Sequence, residues 1–484
     1  MELKAKRGSA ARTSVNAMML LAGTMFRMVA SFAFVLYSSN VLHADGYGKY
    51  SIAIHYFELF LSLSSTGVAI MLTRDAARWL RATNRLLTCG IVLGWLLCAV
   101  SPIVLFSIGY GFGYSSDTAQ ALGIGCIALF PSVACNVIEA VFVARERADL
   151  VTLGTAVESV LRLALSFLVL WFGWGLLELM WVQVVVRTAQ MLIYAIAIRR
   201  LVGFQPDWRW SDFRRFFLSW RVFAAENWMA TIYTSLDVVV LSALASESAV
   251  GVYSVAGKFV RLGSVVARSF TTAVYPVMSR MQASNKVALG RLYRHTIRVM
   301  CLLAFPAVIG VDVLARRIVA LLFRDASYLE SAPVLQILIW LLVLEFLNPF
   351  LSHVLFAKGL QHRSMFVAGI SLTTNLIAMW LFVSYWGATG AAAACVLSGT
   401  VATIGYCRFA MDSFEIRDML SSMGRTLLAA GGMGLVIFFM RDASWLWMAV
   451  VSALVYAILA LIVQAVRKQD LLFFRTVWIT RATA

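Results

Sequence analysis

The sequence predicts an all-α polytopic membrane protein of about fourteen transmembrane helices, built as two six-helix lobes related by a parallel repeat plus two C-terminal helices. Three observations carry this expectation. Apolar runs of about 20 residues, each long enough to span a bilayer, follow one another from residue 15 to residue 466. The cations between these runs fall on alternate connections, and several phrases recur a little over 200 residues apart. With 61% hydrophobic and 13% charged residues the chain leaves little for a soluble domain, since soluble proteins carry about 25% charged residues.

Taken in order, the first span (15–38) has Arg27 at its middle and no small-residue cleavage site close behind it, unlike a cleaved signal peptide. The second (47–73) opens GYGKYSIAIHYFEL, and spans 86–109, 119–143, 149–171 and 175–198 complete an N-terminal lobe over 1–198. The C-terminal lobe, 216–407, contains spans 216–242, 248–274, 295–315, 331–356, 364–384 and 387–407. Only SYWG separates the last two. Spans 424–440 and 445–466 lie outside the repeat, so residues 408–484 read as an extra helix pair and a tail. Between the lobes, GFQPDWRWSDFRRFFLSWRVF (203–223, within a linker at 199–223) mixes aromatic and basic residues. It reads either as a helix lying in the cytoplasmic interface or as an aromatic belt with snorkelling arginines.

The net charge of +17 is a topology signal, not a nucleic-acid signal. One set of connections carries thirty lysines and arginines, among them Arg74, Arg78, Arg145, Arg147, Arg199, Arg214, Arg291, Arg363 and Arg425. The other set carries five, Lys49, Arg316, Arg317, Arg324 and Arg441. The positive-inside rule then places both termini in the cytoplasm. The expected location is the bacterial cytoplasmic membrane. The seven cysteines lie in or beside spans without metal spacing, which suits small core residues.

The repeat is visible residue by residue. At an offset of 203, Gly48, Tyr50, Ser51 and Ala53 meet Gly251, Tyr253, Ser254 and Ala256, and Pro102 falls opposite Pro306 at 204. VFVARERADL (141–150) resembles VLFAKGLQHR (354–363), and WFGWG (171–175) resembles YWGATG (385–390). Six spans separate the mates, so the halves share one orientation, the architecture of a two-lobed transporter.

Ionisable residues well inside the spans are Arg27, His55, Glu58, Glu158, Arg162, Arg187, Glu226, Asp237, Lys258, Arg261, Arg268 and Glu345, while Glu139 and Asp312 lie nearer span ends and suit snorkelling. Such charges usually face a bundle interior or a wet cavity. Lys258, Arg261 and Arg268 share an arc of roughly 80°, one cationic stripe on the eighth span. Glu158 and Arg162 form an i,i+4 pair that neutralises itself. Glu226 and Asp237 share a face of the seventh span and are read either as partners of the stripe or as separate proton or cation sites. The stripe itself is read as an anion site, with structural ion pairing as the alternative.

The repeat, the span count and several phrases resemble the polysaccharide transporter family, the lipid-linked oligosaccharide flippases of bacteria. These share a superfamily with multidrug-and-toxin-extrusion transporters and lipid II flippases. The resembling residues are Arg27, DGYGKYSIA at the start of the second span, STGVAIMLTRDAAR (65–78) and LLFRDASYLESAPVLQIL (321–338). The resemblance implies two six-helix lobes with alternating access, and a polyprenyl-pyrophosphate-linked sugar as substrate. It implies pyrophosphate-binding cations at Arg27 and Arg261, with Lys258 and Arg268 on the same stripe, and a groove for the polyprenyl tail in 424–466. Those flippases carry a cation on the second helix where this chain has His55 and Glu58, a departure that speaks against lipid II itself. No cofactor is expected. A proton or sodium gradient, or the membrane potential, is the expected energy source, with Glu58, Glu226, Asp237 and Glu345 as coupling residues. Expected partners are the bilayer and other polysaccharide assembly proteins, with no nucleic acid. The rivals are a drug exporter of the same superfamily and a membrane polymerase or ligase. The short connections, of which 316–330 is the longest external one, leave no room for such an enzyme's catalytic loop.

Overall fold

The structure, a computed structural model, describes residues 2–79, 82–284, 286–411, 416–440 and 443–465. Among these residues the chain is helical without a strand. The elements are α1 (Glu2–Arg78), α2 (Thr83–Gly111), α3 (Ser116–Ala144), α4 (Ala148–Trp171), α5 (Leu176–Val202), α6 (Trp210–Leu244) and α7 (Glu247–Ser284). They continue with α8 (Lys286–Leu322), α9 (Ser331–Leu338), α10 (Leu341–Ala357), α11 (Gln361–Ala410), α12 (Ile416–Phe439) and α13 (Trp445–Ile462). Eleven segments of the described chain are long and apolar enough to cross a membrane.

Two of those segments hold two spans each. At 1.5 Å per residue, straight rods of this length would far exceed a hydrocarbon core of about 30 Å. The 77 residues of α1 break at His43 (φ 58°, ψ 179°) and the 50 of α11 break at Gly387 (φ 55°, ψ −127°). The second break sits in the SYWG stretch. Only a residue without Cβ takes such a φ at no steric cost. The turn is tight, because a Cβ on Gly390 would lie 2.1 Å from the Phe382 carbonyl oxygen. The span expected at 331–356 is the pair α9 and α10. The expected long connection at 316–330 is shorter than read, because α8 runs on to Leu322 and a 3-10 turn occupies Ala326–Glu330.

The chain forms two compact units, Met1–Ser254 and Val255–Ala484. The linker read as an interfacial helix has no helix of its own. Its second half is the start of α6, 35 residues long, and Phe213, Phe216, Trp220 and Ala224 are buried in a core shared with α1, α2, α3 and α5. Asp207 ties the preceding loop to α2 through Arg85 at 2.5 Å. Phe213, Phe216 and Trp220 are therefore core, while Trp208, Trp210 and Phe217 are exposed.

Repeat mates touch one another in the first unit. A Cβ on Gly48 would lie 1.8 Å from the Glu247 carbonyl oxygen, and one on Gly251 would lie 2.3 Å from that of Ala44. The Ser51 hydroxyl donates to that of Ser254 at 2.6 Å. Small residues let helix backbones approach this closely, and buried hydroxyls then bond across. Beside the crossing, Lys49 is held by Asp45 (3.0 Å), Asp117 (3.8 Å) and Glu247 (3.9 Å). Glu247 also accepts hydrogen bonds from Thr118 at 2.6 Å and Ser115 at 3.0 Å, at the start of α3, where a helix dipole favours a carboxylate.

In the second unit α12 and α13 pack on α8. Met433, Ile437 and Met448 lie against Ile309 and Leu314, and the Tyr456 hydroxyl donates to the Leu302 carbonyl at 2.8 Å. Asn348 joins α10 to α11, donating to the Gly399 carbonyl at 3.0 Å and accepting from Thr403 at 2.7 Å.

Candidate functional site

In the first unit, four helices contribute to one group of charges. Glu158 on α4 is 4% exposed and accepts from Arg162 one turn along, the local pair that the spacing predicts. Arg27 and Ser31 of α1 and Glu158, Ser159 and Arg162 of α4 line a cavity of about 30 Å³, room for about one water. Arg27 is itself exposed. Arg187 on α5 donates to Gln190 at 2.9 Å and acts electrostatically on both Glu158 and Glu139.

Glu139 on α3, which the sequence reads as snorkelling, instead accepts a 2.7 Å hydrogen bond from Tyr194, a phenol buried edge-on against Phe142. With all five ionised, three arginines against two glutamates leave one positive charge, and Arg27 is the exposed member. Glu139 and Tyr194 are 55 residues apart, so no spacing in the sequence joins them.

On α7, Lys258 is half-buried while Arg261 and Arg268 are exposed. One Arg261 guanidinium nitrogen lies 3.8 Å from where a Cβ on Gly257 would stand, so the side chain folds back along its own helix. The acid beside Arg268 is Glu345 of α10, at 3.7 Å. Asp237, read as a partner for the stripe, accepts from the Tyr253 hydroxyl at 2.8 Å. The Glu226 side chain lies outside the described residues. Glu58 is exposed on α1. His55 is buried and its Nδ1–H donates to the Ser51 carbonyl one turn back at 2.7 Å, which makes it a helix staple.

Among the described residues no group of three or more His, Cys, Asp or Glu is arranged to hold a metal, and all seven cysteines are buried thiols. The site's chemistry is that of fixed guanidinium groups, which present paired donors to phosphate or carboxylate. The long array of apolar helices makes this a multi-pass membrane protein, and the family matches make it a transporter, not an enzyme. The chain belongs to the polysaccharide biosynthesis protein family, whose sequence model matches residues 40–333, and the model of the lipid II flippase MurJ matches residues 206–465.

Two curated relatives come from Haloferax volcanii. The probable flippase AglR is 26% identical over 215 residues, 44% of this chain and 45% of that protein. The probable low-salt glycan biosynthesis flippase Agl15 is 23% identical over 207 residues, 43% of this chain and 44% of that protein. The match thus spans less than half the length of either relative. Two solved structures share the fold. Lipid II flippase MurJ in an inward closed conformation superposes with a TM-score of 0.74 at 16% identity, over 94% of this chain and 100% of that one. A multidrug resistance MATE family transporter, inward-facing, gives 0.65 at 16% identity, over 82% of this chain and 98% of that one.

Proposed function

We propose that this flippase-family protein moves a polyprenyl-pyrophosphate-linked oligosaccharide from the cytoplasmic to the outer leaflet of a bacterial inner membrane, for surface polysaccharide such as O-antigen or exopolysaccharide. The observation that carries the reading is the stripe of Lys258, Arg261 and Arg268 on one face of a membrane helix, its two arginines exposed. A pyrophosphate cannot cross hydrocarbon unaided, and guanidinium forks replace its water. Arg27 is a further proposed headgroup cation, exposed on α1. Transport proceeds by alternating access, with both termini cytoplasmic as the charge asymmetry favours. Glu58, Glu226, Asp237 and Glu345 are the proposed coupling acids. Deprotonated, they compete for the cations and release the headgroup, in exchange for protons or sodium or driven by the membrane potential. Other polysaccharide assembly proteins supply and remove the cargo.

The test is native mass spectrometry of the purified protein, comparing wild type with Lys258→Ala/Arg261→Ala. Undecaprenyl pyrophosphate is titrated against a neutral polyprenol. Wild type is expected to retain the pyrophosphate lipid preferentially, and the variant to lose that preference. Equal retention by both proteins would return the stripe to structural ion pairing and favour a multidrug exporter.

A further inference from the structure

A second cationic feature lies in the Val255–Ala484 unit. Arg291, Arg294, His295 and Arg298 of α8 line one wall of a cavity of about 290 Å³. Asp418, Ser422 and Arg425 of α12 line another. The floor is Gln464 and Ala465, just past the end of α13. The α8 residues follow i, i+3, i+4, i+7 spacing, and the α12 residues follow i, i+4, i+7, so each set is one helical face. Higher up, those faces become the apolar contact of Ile309 and Leu314 with Met433 and Ile437.

Arginines that only set topology need to reach water, and the outward sides of the helices would serve. Here the four guanidinium groups lie on the sides that α8 and α12 turn towards each other, where they repel. Among the described residues the carboxylate lining the cavity is that of Asp418, 3.4 Å from Arg294. Four arginines share the space with that one described aspartate.

We propose that this cavity binds the phosphate of a membrane lipid. Basic pockets between membrane helices on the cytoplasmic side suit such headgroups, and arginine forks with serine hydroxyls match phosphate oxygens. A volume of 290 Å³ is at the small end of ligand sites, which run from about 300 Å³ upwards. It admits a phosphodiester headgroup but not an oligosaccharide. Leu420, Leu427 and Leu428 are exposed on α12 beside it and offer an apolar path for the chains. The site is separate from the α7 stripe, and the orientation proposed above decides only which leaflet supplies the lipid. The phosphate belongs either to a phospholipid or to the cargo's own pyrophosphate at loading.

Full-length protein in detergent is titrated with dioleoylphosphatidylglycerol, dioleoylphosphatidylcholine and undecaprenyl pyrophosphate, with bound lipid read by native mass spectrometry. Wild type is expected to retain phosphatidylglycerol over phosphatidylcholine by about tenfold, and Arg298→Gln/Arg425→Gln to lose that preference. Asp418→Asn removes the opposing charge and is expected to raise retention several-fold, a gain that misfolding does not produce. If the pocket variants change undecaprenyl pyrophosphate and leave phosphatidylglycerol alone, the phosphate is the cargo's. Retention of every lipid unchanged in both variants overturns the proposal, as does a loss in the double variant with no gain in Asp418→Asn. Lys258→Ala/Arg261→Ala is expected to leave phosphatidylglycerol retention intact, which separates this site's failure from that of the stripe.

Discussion

Gly48→Ala tests the helix crossing directly. The added methyl carbon would lie 1.8 Å from the Glu247 carbonyl oxygen, whereas unstrained carbon contacts settle near 3.5 Å. The obstacle is backbone, so no rotamer relieves it and α1 must move from α7 by more than an ångström. Overpacking of this kind costs about 1–3 kcal/mol. Moving the helices also stretches the Ser51–Ser254 bond, worth about 1 kcal/mol. Against this, alanine in a helix interior is better than glycine by about 0.8–1 kcal/mol. The net loss is about 1–3 kcal/mol, or a fall of roughly 2–12 °C at 2–4 °C per kcal/mol.

All seven cysteines are buried, so a thiol-reactive dye that fluoresces as they become exposed reports the melt in detergent. Gly123→Ala is the control, since its methyl would meet nothing within 4 Å. The control is expected to melt at or slightly above wild type and Gly48→Ala clearly below. Both variants melting together at or above wild type would refute the close crossing.

Other expectations follow from the charges and the turns. Glu158→Leu removes the buried acid beside Arg162 and is expected to cost about 3–5 kcal/mol. Glu158→Leu/Arg162→Leu should cost less than Glu158→Leu alone, and an equal or larger loss in the double variant would mean the pair is not coupled. Lys49→Met leaves Asp45, Asp117 and Glu247 facing one another, so its melting temperature should fall further than that of Asp45→Asn; the reverse order would dissolve the clamp. His43→Gly should be tolerated where His43→Val is not, because a β-branched side chain fits poorly at positive φ; equal expression and melting of the two would contradict the break in α1. For orientation, a membrane-impermeant maleimide on intact cells should label a cysteine at Arg316 and spare one at Arg147, and the opposite pattern would invert the topology.

Helix positions were legible because most apolar runs end in charge, proline or glycine, and the helices overlap the expected spans, though α13 stops at Ile462, short of the expected 466. Residues 384–387 read as the least distinct boundary for a physical reason: a turn this tight needs one glycine and no polar loop. The Glu158–Arg162 pair was legible because i,i+4 spacing fixes side chains on one helix. Partners on different helices were not. Nothing in the sequence joins Glu139 to Tyr194, Arg268 to Glu345 or Asp237 to Tyr253, since each pair depends on how helices pack. The repeat exposed Gly48 and Gly251 as mates, but not that they would touch. Which linker aromatics are buried (Phe213, Phe216, Trp220) and which exposed (Trp208, Trp210, Phe217) was not legible either, because it depends on how α6 packs.

The break at Gly387 also bears on how the protein is made. No charged residue occurs anywhere from 364 to 407, so no charge anchors the turn while the chain leaves the ribosome. The flanking cations Arg363 and Arg408 lie at the same end, and together they orient both legs. The two legs are therefore expected to partition into lipid as one preformed hairpin, not as successive segments. A side chain at residue 387 that favoured a continuous helix would yield a rod of about 75 Å, more than twice the hydrocarbon thickness. Such a variant would be lost to quality control during biogenesis, and its defect would show as missing protein in the membrane, not as a slower transporter.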